Sequence, residues 1–186
     1  GHTQNGVVAV AGEGHEITQS DVDRAISAAQ AISIPVEREV LHVIPQGFVV
    51  DNQVGIKDPI GMSGIRLEAY VHIVTGAVAS AQNLVKSVYS AGISVEDIVL
   101  EPIASAEAVL SNEERQLGVV LADMGGGTTD IVIYKDGALH HTAVLSLGGD
   151  HVTNDIAQLL KMTPQDAEIL KLHRGSAWVD MVDGND

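Results

Sequence analysis

Apolar positions in the first half of the chain follow two different periods. Behind Thr18 they recur at intervals of three and four up to Ile32, which predicts an amphipathic helix that ends before Pro35. From Ile65 to Ile73 apolar and polar residues alternate strictly, which predicts a long, half-buried strand. A helix with one apolar stripe needs a sheet to cover, so the chain up to about Thr75 is predicted to be a small α+β unit. Shorter apolar runs supply further candidate strands at 7–11, 40–44 and 47–50.

The second half of the chain has a different pattern, in which runs of β-forming residues are separated by glycine. The segment Gly118–Asp123 is almost wholly apolar and ends in an acid, which predicts a strand buried on both faces in the middle of a sheet. Two further strands, 131–134 and 139–147, are predicted on either side of an Asp136-Gly137 turn. Spacing and capping residues predict helices at 81–91, 104–110, 152–160 and 164–174, and a short strand at 97–100.

The composition excludes several classes of protein. A chain with 45% hydrophobic and 19% charged residues fits a folded globular protein, and neither disorder nor a collagen-like repeat. A net charge of −15 with only 10 Lys and Arg repels a phosphate backbone, so nucleic acid is not an expected partner. The absence of Cys excludes disulfides and thiolate ligands, which suits a reducing cytosolic compartment. No apolar run approaches about 18 residues, and no signal peptide is visible.

The strongest chemical signal is the segment Asp123-Met124-Gly125-Gly126-Gly127-Thr128-Thr129-Asp130. Three successive glycines let backbone N–H groups approach an anion without a Cβ in the way, and successive N–H groups in a turn form a phosphate-binding nest. The hydroxyls of Thr128 and Thr129 can add donors, and Asp123 is suited to hold Mg²⁺ through water. A Walker loop or a dinucleotide motif would lead from a strand into a helix, whereas these glycines join two predicted strands. The alternative is a glycine-rich hairpin that only turns the chain.

Glu101-Pro102 is the second candidate for chemistry. An acid at the end of the predicted strand 97–100, followed by a helix of small residues, can point into a cleft and orient the water that attacks a terminal phosphate. The alternative is a solvated acid whose proline sets the entry to the helix.

Several longer segments resemble the FtsA family of bacterial cell division proteins, which belongs to the actin/Hsp70/sugar-kinase ATPase superfamily. The segments 123–130, 101–106 and 147–150 are similar to the superfamily's second phosphate loop, its connecting helix and the glycine turn that follows. The similarity extends from about Gly6 to the C-terminus. The segments that resemble FtsA in particular are 40–46, 61–68, 71–75 and 152–157.

The resemblance implies an α/β fold, namely a portion of an actin-like ATPase (ribonuclease H-like) domain with an inserted, SHS2-like α+β subdomain. Residues 1–79 would correspond to the family's subdomain 1C, which serves in self-association and in contacts with other divisome proteins. Residues 80–186 would correspond to most of subdomain 2A.

The resemblance also implies a function for the intact protein. The family binds ATP with Mg²⁺, polymerises, and tethers FtsZ filaments through a C-terminal amphipathic helix to the cytoplasmic face of the inner membrane at the division septum. Carried over by position, Glu101 would match the water-orienting acid of related filament ATPases, and Asp123 would lie near the metal. The nucleotide-binding residues would be Asp123, Gly125, Gly126, Gly127, Thr128, Thr129 and Asp130.

The family's first phosphate hairpin, its adenine-binding glycines and its membrane helix are not found in this sequence, so the chain resembles a central fragment with half a nucleotide site. We therefore expect weak or absent ATP binding and no turnover by this chain, and at most weak hydrolysis by the intact protein. Two alternatives stay open: an actin-like adaptor of the type IV pilus assembly kind, and a small-molecule kinase of the same superfamily. A separate hypothesis is that the strand ending near Thr75 is an exposed edge that pairs between molecules.

Overall fold

The computed structural model describes residues 1–11 and 13–178, which form a mixed α/β fold of seven strands and six α-helices. The chain divides into two compact units. Among the described residues, the first contains 1–122 and Ile131–Ala143, and the second contains Asp123–Asp130 and 144–178. The division into 1–79 and 80–186 rests on family correspondence rather than on compactness, and it stays a prediction.

The first part of the chain forms the predicted α+β unit. Its four strands, β1 (His2–Ala9), β2 (Arg38–Val50), β3 (Gln53–Ile56) and β4 (Arg66–Ala77), lie in the order β1-β4-β2-β3, and every pair is antiparallel. Helix α1 (Gln19–Gln30) packs on β1 and β4, and the apolar side chains between helix and sheet form the larger core of the protein. The predicted amphipathic helix and its supporting sheet are thus confirmed.

Strand β4 lies in the interior of this sheet, so the hypothesis that it is an exposed edge is wrong. Residues Arg66–Ile73 lie opposite β1, and Leu67–Ala77 lie opposite β2. Alternation reports which face of a strand is covered, whereas an edge is defined by missing hydrogen-bond neighbours, which alternation does not report. The polar face is also covered in part, since Glu68 and His72 are buried.

The two predicted strands at 40–44 and 47–50 are one strand with irregular register. The pairing of β2 with β4 shifts between Val40 and His42 and again between Pro45 and Gly47. Proline has no N–H to donate, and a bulge beside Pro45 lets the strand continue through it. The sequence does not predict the short strand β3, because a run of four residues that includes a glycine is too short to show a strand period.

The middle of the chain is mainly helical, with α2 (Val78–Ser90), α3 (Glu101–Val109) and α4 (Asn112–Leu117). The predicted strand at 97–100 is wrong, because residues 93–100 belong to no helix or strand. Helix α4 was not predicted. It is a single polar helix whose first turn is capped by Ser111, which accepts a hydrogen bond from the amide of Glu114.

A second sheet follows, with β5 (Val119–Met124), β6 (Thr129–Lys135) and β7 (Ala138–Leu145) in sequential order. Among the described residues β5 pairs only with β6, and its side chains are alternately half-buried and exposed, so the prediction of a strand buried on both faces is wrong. The turn between β6 and β7 is the predicted one. Asp136 and Gly137 both have positive φ, at 53° and 75°.

Two helices close the described chain, α5 (Gly149–Leu160) and α6 (Pro164–Arg174), and they pack against each other. Thr163 caps α6 by accepting a hydrogen bond from the amide of Asp166, and Gly175 follows its last residue, as predicted. No helix within the described part of the chain has both the length and the apolar character needed to cross a membrane.

Candidate functional site

The glycine-rich segment is the loop between two strands, as predicted from the sequence. It joins β5 to β6, and the N–H of Gly125 donates to the carbonyl oxygen of Thr128 at 2.9 Å, which closes the turn. Residues 125–128 are exposed. We call the segment Asp123–Asp130 the phosphate loop.

The first turn of α5 contacts this loop through backbone hydrogen bonds. The N–H of Gly149 donates to the carbonyl oxygen of Gly125 at 3.0 Å, and the N–H of Asp150 donates to that of Gly126 at 2.8 Å. A Cβ on Gly148 would lie 2.5 Å from the oxygen of Gly125 and 2.4 Å from that of Gly126. Only glycine therefore fits at position 148, because any side chain would push the two backbones apart.

The two threonines of the loop have different environments. The hydroxyl of Thr129 is buried and donates to the carbonyl oxygen of Leu147 at 2.7 Å, which connects the start of β6 to the segment between β7 and α5. The hydroxyl of Thr128 is exposed and donates to the carboxylate of Asp130 at 3.1 Å. Asp123 is half-buried at the start of the loop. The predicted binding residues are thus consecutive on one loop, but only Thr128 presents its hydroxyl at the exposed tip.

The loop has backbone donors that are not used within the described structure. Within the described residues the N–H groups of Gly126, Gly127 and Thr128 make no backbone–backbone hydrogen bond, whereas that of Gly125 is engaged in the turn. Exposed N–H groups on successive residues are suited to hold the oxygens of an anion. The phosphate loop therefore has the chemistry of a phosphate-binding turn.

The residues near the loop fit a metal ion only in part. Within residues 1–11 and 13–178 no group of three or more His, Asp or Glu side chains is placed to hold a metal ion. Mg²⁺ normally keeps several waters and binds through one or two carboxylates together with substrate phosphates. Asp123 can supply one such carboxylate, so the loop fits Mg²⁺ that arrives with a nucleotide.

A cluster of side chains that the sequence did not reveal holds α6 against the start of α5. The ammonium of Lys171 donates to the carbonyl oxygen of Gly149 at 3.0 Å and to the hydroxyl of Thr153 at 2.8 Å, and lies 2.7 Å from the carboxylate of Glu168. Hydrogen bonds from Lys171 and Thr153 hold the pKa of Glu168 below its usual value. The i,i+3 spacing of Glu168 and Lys171 was the only available signal, and it is common on solvated helices.

Glu101 is the first residue of α3, and its side chain is exposed. It belongs to the first compact unit, whereas the phosphate loop belongs to the second. Pro102, the second residue of the helix, is buried, which agrees with a proline that sets the helix entry. The role of Glu101 in orienting water stays a prediction.

Comparison with known proteins gives one consistent family. Residues 1–75 match the family described as "SHS2 domain inserted in FTSA", and residues 120–186 match the family described as "Cell division protein FtsA". The Cell division protein FtsA of Pseudomonas aeruginosa is 49% identical over 173 residues, which are 93% of this chain and 41% of the relative. That of Borreliella burgdorferi is 51% identical over 177 residues, which are 95% and 43%. The chain therefore spans about two fifths of the length of these relatives.

Among solved structures, the PilM-PilN type IV pilus biogenesis complex matches with a TM-score of 0.60 and 17% sequence identity, over 92% of this chain and 47% of that chain. At this identity the likeness shows the fold alone. Together with the SHS2 match it confirms the fold class that the resemblance implied, an α/β actin-like ATPase portion with an inserted SHS2-like subdomain.

Proposed function

Because the chain belongs to the FtsA family of cell division proteins, we propose that it is part of an actin-like protein that binds ATP with Mg²⁺ through the phosphate loop. In this proposal the N–H groups of Gly126, Gly127 and Thr128 bind phosphate oxygens, and Asp123 lies beside the metal. The metal supplies positive charge that neutralises the phosphate oxygens when it is bound.

One observation carries the nucleotide proposal. At the exposed tip of the β5–β6 hairpin, three successive backbone N–H groups make no backbone–backbone hydrogen bond within the described residues, and the strand that leads into this loop carries Asp123 as its last residue but one. A hairpin that only turned the chain would not require three consecutive donors to face solvent. A Cβ at Gly127 would meet no atom within 4 Å, so a phosphate group can approach the loop closely there, whereas a Cβ at Gly126 would lie 3.0 Å from the carboxylate of Asp150.

The cellular role in this proposal follows the family. The intact protein polymerises and tethers FtsZ filaments to the cytoplasmic face of the inner membrane at the division septum, and residues 1–79 contact other copies or other divisome proteins. Hydrolysis of ATP is at most slow, with Glu101 orienting the water. These partners and this location are supported by family membership alone.

The two alternative functions have less support. The likeness to the PilM-PilN complex is a likeness of fold at 17% identity, whereas the relatives named as cell division proteins are 49% and 51% identical. A small-molecule kinase would need a substrate base in the cleft and a closing lid, and nothing in the described residues identifies either one.

Nucleotide binding is tested by NMR titration of this 186-residue chain with ATP and Mg²⁺. The amide resonances of Gly126, Gly127 and Thr128 should shift, with weak affinity because one loop supplies only part of the donors that surround a nucleotide. Asp123→Asn should reduce the affinity in the presence of Mg²⁺, whereas Asp97→Asn, at an exposed acid outside the loop, should not. Shifts that avoid the loop, or an Asp123→Asn chain that binds like the original, would contradict the proposal.

The cellular role is tested in the full-length Pseudomonas aeruginosa relative. Replacing its aligned segment by this chain should give a protein that still locates to the septum and co-sediments with FtsZ filaments. The matched control is the same replacement carrying Gly148→Ala. This substitution should alter the contact between α5 and the phosphate loop and leave the SHS2-like part unchanged. A chimera that folds but neither locates to the septum nor co-sediments with FtsZ filaments would contradict the proposed role.

A further inference from the structure

The start of α5 faces the carbonyl side of the phosphate loop. Its first two N–H groups, those of Gly149 and Asp150, donate to the carbonyl oxygens of Gly125 and Gly126. The positive end of a helix is commonly a site for anions, but here its first donors are already engaged with the protein's own backbone. The helix therefore does not offer these two groups to a phosphate.

The geometry of the peptide group determines in which direction the N–H groups of the loop point. In a trans peptide the C=O of one residue and the N–H of the next point in opposite directions. The carbonyl of Gly125 shares its peptide with the N–H of Gly126, and the carbonyl of Gly126 shares its peptide with the N–H of Gly127. Because both carbonyls point at α5, both N–H groups point away from it.

We infer that the first turn of α5 is a positioning element for the phosphate loop: by binding the carbonyls of Gly125 and Gly126, it orients the N–H groups of Gly126 and Gly127 toward the bound phosphate. This inference rests on the proposed nucleotide binding for its ligand but not for its geometry. Hydrogen bonds in a chain polarise one another, so a carbonyl that accepts from α5 makes the N–H of the same peptide a stronger donor. The helix thereby acts on the phosphate through two peptide groups.

Three further features hold α5 in register with the loop. The absence of a side chain at Gly148 lets the two backbones approach, since a Cβ there would lie within 2.5 Å of both loop carbonyls. The N–H of Gly148 donates to Nδ1 of His151 at 3.1 Å, and Lys171 binds the carbonyl oxygen of Gly149. The first turn of α5 is therefore fixed from both sides before any ligand arrives.

The inference is tested with a matched pair of substitutions at one position. Asp150→Pro removes the N–H that donates to Gly126, and Asp150→Ala removes the same carboxylate but keeps that N–H. Proline is tolerated in the first turn of a helix, and Pro102 already occupies the second position of α3, as residue 150 does in α5. A third variant, Gly148→Ala, has Gly47→Ala as its control, because a Cβ at position 47 meets only the oxygen of Ile56, at 3.5 Å.

The first readout is amide hydrogen exchange by NMR in the absence of nucleotide. In the original chain the amides of Gly149 and Asp150 should exchange at least tenfold more slowly than those of Gly126 and Gly127. Gly148→Ala should abolish this protection at residues 149 and 150, and Gly47→Ala should leave it unchanged. Equal exchange rates at all four amides of the original chain would overturn the inference.

The second readout is the affinity for MgATP, measured from the shifts of the loop amides. Asp150→Pro should raise the dissociation constant about tenfold above that of Asp150→Ala. If both variants bind alike while the original chain binds MgATP, the positioning role is overturned and nucleotide binding stands. If the original chain shows no shift with MgATP, nucleotide binding by this chain fails, and the exchange rates alone decide whether α5 orients the loop.

Discussion

At the scale of single residues, the neighbouring threonines Thr128 and Thr129 differ in the exposure of their hydroxyls and in their hydrogen-bond partners. One hydroxyl is exposed and bonded to Asp130, and the other is buried and bonded to the carbonyl oxygen of Leu147. The hydrogen bond of Thr129 is made by a buried hydroxyl, whereas the one made by Thr128 lies at an exposed position where water competes for both partners. The buried threonine therefore contributes to folding, whatever the ligand.

We predict that Thr129→Val lowers the free energy of unfolding by about 1 kcal/mol, because it removes the hydrogen bond that the buried hydroxyl makes to the carbonyl oxygen of Leu147. Thr128→Val should change it by less than half of that, and Thr129→Ser, which keeps the hydroxyl, should lie between the two. The measurement is urea denaturation of the three variants. Equal effects at positions 128 and 129 would show that the bond to Leu147 contributes nothing.

A second residue, His72, makes stability depend on pH. Its ring is fully buried in β4, with Nε2 3.0 Å from the hydroxyl of Thr142 and Nδ1 3.4 Å from that of Thr3. Burial, together with the positive groups that face the ring, lowers its pKa from the ordinary 6.5 to about 4; these groups are the N-terminus, His141, His2 and His140.

Because the folded state disfavours protonation of His72, the unfolded state binds more protons in the pH range between these two values. The stabilisation is complete above the unfolded pKa of 6.5 and is lost as the pH falls toward about 4. We predict that the midpoint of urea denaturation decreases when the pH is lowered from about 7 to about 5. His72→Gln should make this decrease smaller. His173→Gln, at an exposed position on α6, should not reduce it. A pH profile identical in all three proteins would refute the assignment.

At the scale of elements, the β6–β7 hairpin is the feature in which sequence and structure agree best. The Asp-Gly pair predicts a two-residue turn with positive φ at both positions, and both angles are found. By contrast, the extent of β2 and the existence of β3 depend on pairing with residues elsewhere in the chain, which no local pattern reports.

We predict that Gly137→Ala lowers the free energy of unfolding by about 1–2 kcal/mol, because φ at this position is 75° and a Cβ disfavours that conformation. Asp136→Asn is the matched control at the other central position, since asparagine tolerates the left-handed region well. Thermal unfolding of the two variants is the measurement. A destabilisation by Asp136→Asn as large as that by Gly137→Ala would show that the turn conformation is not the cause.

At the scale of the whole molecule, net charge is the property that composition alone defines. With 25 acidic and 10 basic side chains the folded chain repels itself, and salt screens this repulsion. The ion pairs Arg66–Glu68 and Lys171–Glu168 are partly exposed, so each contributes little to stability and its screening by salt costs little.

We therefore predict that the midpoint of thermal unfolding at pH 7 rises between about 0.05 M and about 0.3 M NaCl. An equal osmolarity of an uncharged solute such as glycerol serves as the comparison for effects other than screening. A midpoint that is independent of salt, or that falls, would mean that the ion pairs outweigh the net repulsion.

The α+β unit, the strand–loop–strand context of the phosphate loop, the hairpin turn and the family are predictable from the amino-acid sequence, because each depends on local periodicity, turn chemistry or long shared motifs. The position of β4 inside its sheet, the burial of Thr129 and the contact of α5 with the carbonyl side of the loop are not predictable in this way. These features depend on which backbone groups become hydrogen-bond partners across 18 to 70 residues of chain, as with Thr129 and Leu147 or His72 and Thr142. Periodicity along a chain reports the face that a residue occupies, and it carries no information on the partner that it meets there.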